Sequence, residues 1–183
     1  MPFVADSTVN KLILLFVFEK MEIPLTENSL LDITTSRNTW LSYMDFKDTM
    51  WQLIENNFVY RFSKHSAECL YTITQDGRMC LSHFYTKIPA SIREEIINFT
   101  RDNKYEVRRV QEYTNDYFKN ADGSHTVIFR IREPQTNEHV LEIRTKTATR
   151  HAAIQACQKW KDKAAHVYET IFNMLIQDDT EDK

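Results

Sequence analysis

The chain has 183 residues, 42% of them hydrophobic and 12% aromatic, with a formal net charge of −3. That is enough apolar material for one core or two small ones and excludes bulk disorder, while the total charge carries no basic footprint for nucleic acid. There are two glycines, Gly77 and Gly123, where average usage near ~7% would supply about a dozen; GxGxxG fingerprints, P-loops and GxSxG elbows, which need glycines for a close backbone approach, are excluded with the enzymes built on them.

Asp6 or Ser7 caps a first helix running to about Met21, with Leu12, Leu15, Phe16 and Phe18 in an apolar surface that covers nearly every side. Such a helix is either deeply buried or shares a face with a second subunit, which makes Leu12 and Phe16 candidate dimer contacts. The longest apolar run, Leu12 to Phe18, falls far short of the ~20 residues of a membrane span. Met1-Pro2-Phe3-Val4-Ala5-Asp6 has no basic n-region or small-residue cleavage site, and the three cysteines show no CxxC spacing. A soluble, cytoplasmic protein with reduced thiols and no membrane partner is expected.

Ile23-Pro24-Leu25 breaks the first helix, and Thr26 caps a short second one carrying Leu30, Leu31 and Ile33. Arg37-Asn38-Thr39 is a polar connector. Ser42 and Asp45 have the spacing of a capping box, and Phe46, Met50, Leu53 and Ile54 follow at helical intervals until Asn56-Asn57. Phe58–Phe62 and Cys69–Ile73 are β-rich, with a turn over 63–68 between them. Thr74 then caps a helix holding Met79, Leu81 and Phe84. Ile88-Pro89 is the expected joint between a domain of residues 1–89 and one of residues 90–177, with a frayed acidic tail over 178–183.

The second half begins with a helix from the capping box of Ser91-Ile92-Arg93-Glu94 to about Asn103. Three strands follow, at about 107–118, 126–133 and 138–146, joined by the hairpin signal Asn120-Ala121-Asp122-Gly123 and by a turn over 133–137. Val127, Phe129 and Ile131 alternate with Arg130 and Arg132, while Leu141 and Ile143 alternate with Glu142, Arg144 and Lys146, so one sheet face is core and the other charged. Two helices close the chain. One carries Ala153, Ile154, Cys157 and Trp160; the other carries Ala164, Val167, Tyr168, Ile171, Phe172, Leu175 and Ile176. Ile171 and Leu175 are a second candidate dimer contact.

The order helix, helix, helix, two-stranded wing, helix resembles the bacterial winged-helix regulators. The chain is similar, more narrowly, to an uncharacterised winged-helix family of Gram-positive bacteria, a domain of unknown function. The resemblance spans nearly the whole chain and rests on Asn10-Lys11-Leu12-Ile13-Leu14-Leu15, Glu22-Ile23-Pro24-Leu25-Thr26, Tyr71-x-Ile73-Thr74-x-x-Gly77, Ile88-Pro89-x-Ser91-Ile92-Arg93-Glu94-Glu95 and Cys157-x-x-Trp160-Lys161. It implies an α+β protein: an N-terminal winged helix-turn-helix, then a small C-terminal domain with a three-stranded antiparallel sheet packed by helices. By fold analogy alone it implies a transcriptional role, and it carries over no catalytic residue.

In a winged helix the third helix, here 42–57, would enter the major groove while the wing touches backbone. The side chains its apolar stripe leaves outward include Tyr43, Asp45, Lys47, Asp48, Thr49 and Gln52. Within 42–57 one base stands against three acids, which opposes a phosphate surface. Compensating bases are Arg37 beside the helix and Arg61, Lys64 and His65 in the wing, although Arg61 and Lys64 also serve simply to keep an open edge soluble. The candidate contacts to double-stranded DNA are therefore Arg37, Asn38, Thr39, Ser42, Lys47, Arg61, Lys64 and His65. The leading expectation is a homodimeric DNA-binding transcriptional regulator whose C-terminal domain dimerises or senses a small-molecule or protein effector. The other is a winged-helix adaptor that docks proteins through its acidic third helix and binds no DNA.

Arg130, Arg132, Arg144 and Lys146, with Arg108, form either a cationic platform or a set of cross-strand pairs with Glu112, Asp116 and Glu142. The second reading is favoured, because single-stranded nucleic acid needs interleaved aromatics. His65-x-x-x-Cys69 and Cys80-x-x-His83 have the donors of a zinc site, but small buried thiols explain the cysteines better. Phe129, Trp160, Tyr168 and Phe172 read as core before they read as a ligand pocket. His125, His139, His151 and His166 are scattered and no paired carboxylates stand out, so neither catalysis nor a cofactor or metal is expected.

Overall fold

The computed structural model describes residues 6–62, 69–133, 135–136 and 138–175. The protein is mixed α+β, with six α-helices and two three-stranded antiparallel sheets among these residues. It forms two compact units, one of residues 1–111 with 134–137 and the other of 112–133 with 138–183. Among the described residues no helix is long and apolar enough to cross a membrane.

The first unit is built around α1 (Ser7–Met21), capped by Asp6, whose carboxylate accepts from the Thr8 N–H. Every residue from Leu12 to Phe18 is buried. The all-round apolar character of α1 is thus explained by enclosure within its own unit. Glu22 ends the helix in the left-handed region at φ 55°, its N–H donating to the Phe18 carbonyl. Leu25–Thr26 then forms β1, and Thr26 caps α2 (Glu27–Leu31), which passes into a π-helical turn over Asp32–Arg37.

The Thr34 carbonyl accepts from the N–H groups of Trp40 and Leu41, and the Trp40 indole donates to Glu95 at 2.8 Å. These contacts set the direction of the chain into α3 (Tyr43–Glu55), whose N-cap is Ser42 as the capping box requires. β2 (Val59–Phe62) and β3 (Leu70–Ile73) follow, and β1 adds to β3 to give the order β1-β3-β2. At two residues β1 is too short to show a period in sequence. Thr74 caps α4 (Gln75–Phe84), accepting from Gly77 N and donating to the Asn57 carbonyl at 2.7 Å.

After a 3-10 turn over Tyr85–Lys87 the chain enters α5 (Ala90–Glu112). This helix extends past the expected end at Asn103. Ile92, Ile96, Phe99 and Val107 keep a helical interval and pack on the first core, and the residues after Val107 show no strand alternation. Gln111 clamps the open edge of β1, accepting from Thr26 N at 2.9 Å and donating to the Pro24 carbonyl at 3.2 Å. The boundary between units therefore falls at the end of α5, and Ile88, expected in a joint, is fully buried in the first core.

The second unit consists of β4 (Tyr113–Lys119), β5 (His125–Arg132) and β6 (His139–Thr147), in that order, covered by α6 (Arg150–Leu175). The β4–β5 hairpin turns at Gly123, with φ 82° and its N–H donating to the Asn120 carbonyl. Where sequence suggested two closing helices there is one. No glycine or proline interrupts 150–175, and Ala153, Cys157, Trp160, Ala164, Val167 and Ile171 keep spacings of three and four without a break. One core cluster is Ile131, Trp160 and Ala164, with Tyr113, Phe129, Leu141 and Val167 against them, and Val127, Ile128 and Ala153 are also buried. The Phe129 and Trp160 rings meet at 4.9 Å and the indole donates to the Arg130 carbonyl, so these two residues are core; Phe172, expected beside them, is exposed.

Candidate interaction surface on the third helix

α3 buries Phe46, Thr49, Met50 and Leu53. Thr49, expected to face outward, is 4% exposed. The opposite side presents Tyr43, Met44 and Trp51, exposed by 52%, 67% and 64%. Met44, Asp48, Trp51 and Glu55 share one file at spacings of four, three and four, so a large apolar side chain alternates with an acid along the helix. Trp51 was missed in the sequence reading. At about 100° per residue it lies far around the helix from Leu53, so completing the wheel around the apolar stripe would have found it.

The single base of α3, Lys47, is held by the Glu27 carboxylate at the start of α2. That hydrogen bond raises the Lys47 pKa, and the ammonium also lies 5.6 Å from the Tyr43 ring centre. Glu27 accepts further from the Tyr71 hydroxyl at 3.4 Å, and burial first, then Glu27, pushes that phenol's pKa up. With Lys47 neutralised, Asp45, Asp48 and Glu55 set the sign of the helix.

The other expected DNA contacts divide by their roles in the fold. Arg37 donates from Nε to Asp32 at 2.7 Å and reaches Glu106 on α5 at 3.4 Å; the bond to Asp32, then that to Glu106, raises its pKa. Asn38 donates to the Ile33 carbonyl at 2.8 Å and closes the π-turn. Thr39, the next residue, is exposed. The Ser42 hydroxyl accepts from Asp45 N and donates to the Asp45 carboxylate at 2.6 Å. Arg61, exposed on β2, donates to Cys69 Sγ at 3.2 Å. Lys64 and His65 lie outside the described residues. Arg37, Asn38, Thr39, Ser42 and Lys47 thus occur in one stretch, but both of its bases are matched by carboxylates.

Of the expected dimer contacts, Leu12 and Phe16 are each 2% exposed inside the first core and offer no surface. Ile171 is half-buried and Leu175 exposed, both on α6. On the charged sheet face Arg130 and Arg144 both donate to Glu142, at 2.7 and 2.8 Å, and Lys146 pairs with Asp122 at 2.8 Å. The cross-strand pairing reading holds for Arg130 with Glu142; Arg144 meets Glu142 along its own strand, and Lys146 meets Asp122 in the β4–β5 turn, a partner not among those expected. Cys69 and Cys80 are free thiols packed against the first core.

Exposed Trp, Tyr and Met are side chains of the kind that act as anchors in protein interfaces, whereas the acids between them are of the kind such interfaces deplete. Comparison with curated proteins and with solved structures finds no match. The model of a domain of unknown function, DUF4364, matches residues 10–175, and the chain belongs to that family.

Proposed function

We propose that residues 6–111 form a winged-helix unit that acts as a non-enzymatic adaptor in the cytoplasm, docking a basic, partly apolar segment of a protein through the outer face of α3. The observation that carries this reading is Trp51, 64% exposed in file with Asp48 and Glu55, on a helix whose one base is bound to Glu27. The order helix, short strand, two helices, two strands, helix, with β1 completing the sheet β1-β3-β2, supports the winged-helix reading. Desolvating an aromatic flanked by carboxylates favours a partner that brings both an apolar pocket and positive charge.

The same element order favours a second reading, a DNA-binding regulator, since helix-turn-helix proteins present this helix to the major groove. Its phosphate contacts would then fall on Arg61 and on Lys64 and His65. Fluorescence anisotropy of labelled random and promoter duplexes at 50 and 200 mM salt separates the two. The adaptor reading expects no sequence preference and no effect of Arg61→Ala. Specific binding that weakens steeply with salt and is reduced by Arg61→Ala would replace it with the regulator. A photo-crosslinking residue at position 51 should yield a protein adduct in cells, lost when Asp48 and Glu55 are changed to lysine.

A further inference from the structure

The far end of α6 carries an exposed apolar face. Val167 is the last α6 residue packed on the core of the second unit. The helix continues for two more turns, and there Tyr168, Phe172, Met174 and Leu175 are exposed by 37%, 41%, 76% and 78%. The seam that seats Trp160 and Ala164 on the sheet continues through Val167, Ile171 and Met174 at alternating spacings of four and three. An a/d repeat of this kind is what a second helix packs against.

We infer that this end of α6 is a self-association surface, occupied by the same segment of a second copy of the chain in antiparallel, twofold-related packing. Two observations argue for that occupant. First, between Ala164 and Leu175 the one formally charged residue is Glu169, so the face offers no complementary charge to a charged partner, whereas a like face meets it without repulsion. A twofold axis at Ile171 sets Tyr168 against Met174, which brings a thioether to an aromatic ring, and leaves Glu169 on the side of the helix away from the axis. Second, the unit is small for the core it holds. With roughly 60 residues a domain buries a low fraction of its surface and is marginal by itself, and here the buried apolar residues are Val127, Ile128, Ile131, Ala153, Trp160 and Ala164. A second copy covers the seam that the sheet leaves open. The face is about two helical turns long, so weak, concentration-dependent association is expected.

Sedimentation velocity on the full chain from about 1 to 100 μM tests the inference. The mass should rise to that of a dimer, and Phe172→Glu and Leu175→Glu should each weaken association by at least about tenfold with an unchanged far-ultraviolet circular dichroism spectrum. Under mild oxidation Ile171→Cys should cross-link across the axis above the background of the unsubstituted chain, and Lys163→Cys should not. A monomer at 100 μM, a dimer indifferent to both glutamates, or equal cross-linking at 163 and 171 would overturn the inference.

Discussion

The ammonium of Lys47 on α3 rests on the carboxylate of Glu27 on α2. Both side chains are more than a third exposed, so the pair adds little stability, about 0.5 kcal/mol or less. Its effect is to cancel the one positive charge of the helix. Glu27→Gln should leave the urea midpoint nearly unchanged, and a double-mutant cycle with Lys47→Met should give a coupling below about 1 kcal/mol. Releasing Lys47 should not create affinity for duplex DNA at 50 mM salt. If Glu27→Gln switched on salt-dependent duplex binding, the adaptor reading of α3 would fail.

The three tryptophans separate cleanly by exposure: Trp51 at 64%, Trp40 at 7% and Trp160 at 4%. Collisional quenching of the native protein should therefore report almost entirely on Trp51. Asp48 and Glu55 beside it concentrate cations, so caesium should quench more efficiently than iodide relative to free tryptophan, and the difference should shrink as salt rises. Trp51→Phe should remove the quenchable, red-shifted component without loss of stability. Preferential quenching by iodide would show that the face is not acidic in solution.

Gly77, in the first turn of α4, passes against the backbone carbonyl of Phe58. A Cβ at Gly77 would overlap that oxygen and come within 2.9 Å of Ile73 Cγ1. The same oxygen accepts from Thr74 N at 3.0 Å, so the backbone cannot retreat without breaking the entry to the helix. Gly77→Ala should cost about 2–4 kcal/mol, through overpacking and the loss of that bond, despite alanine's better helix propensity. Thr74→Ala, which removes the cap and the bond to Asn57, should cost about 1–2 kcal/mol. Urea denaturation measures both, and a stabilised Gly77→Ala would refute the close approach.

These contacts also mark what the sequence could and could not reveal. The caps Asp6, Thr26, Ser42 and Thr74 all stand where their side chains signalled a helix start, because capping is a local reaction of one side chain with the N–H groups that follow it. β1 was invisible because two residues carry no alternation and their pairing depends on Leu70 and Tyr71, distant in the chain. The end of α5 was misplaced because Tyr105, Val107 and Val110 are strand formers by propensity, while burial of Val107 in the first core held them helical. The candidate site was legible in its charge but not in its pairing. Glu27 lies in another helix from Lys47, and Glu106 comes to Arg37 from far along the chain.

Acid should weaken the second unit through Glu142. Its carboxylate accepts from Arg130 and Arg144 at 2.7 and 2.8 Å, and these bonds, Arg130 first, hold its pKa below the ordinary 4.5. A folded-state pKa below the unfolded value means that the contribution is fully present above about pH 4.5. It is lost as the pH falls through the lowered value. His139, 3.9 Å from Glu142, acts in the same direction at higher pH. Burial first, then Arg132 and Arg130, lowers its pKa from 6.5, so protonation favours the unfolded chain as the pH drops below that value. Glu142→Gln should thus be less stable than the parent at pH 7, with both arginines left facing a neutral amide. The gap between the two proteins should narrow as the pH falls from 4.5 towards 3, while the weaker slope near pH 6 due to His139 remains. Chemical denaturation at pH 7, 5.5 and 3 reads all three, and a gap that stays constant down to pH 3 would mean that Glu142 is not the carboxylate responsible.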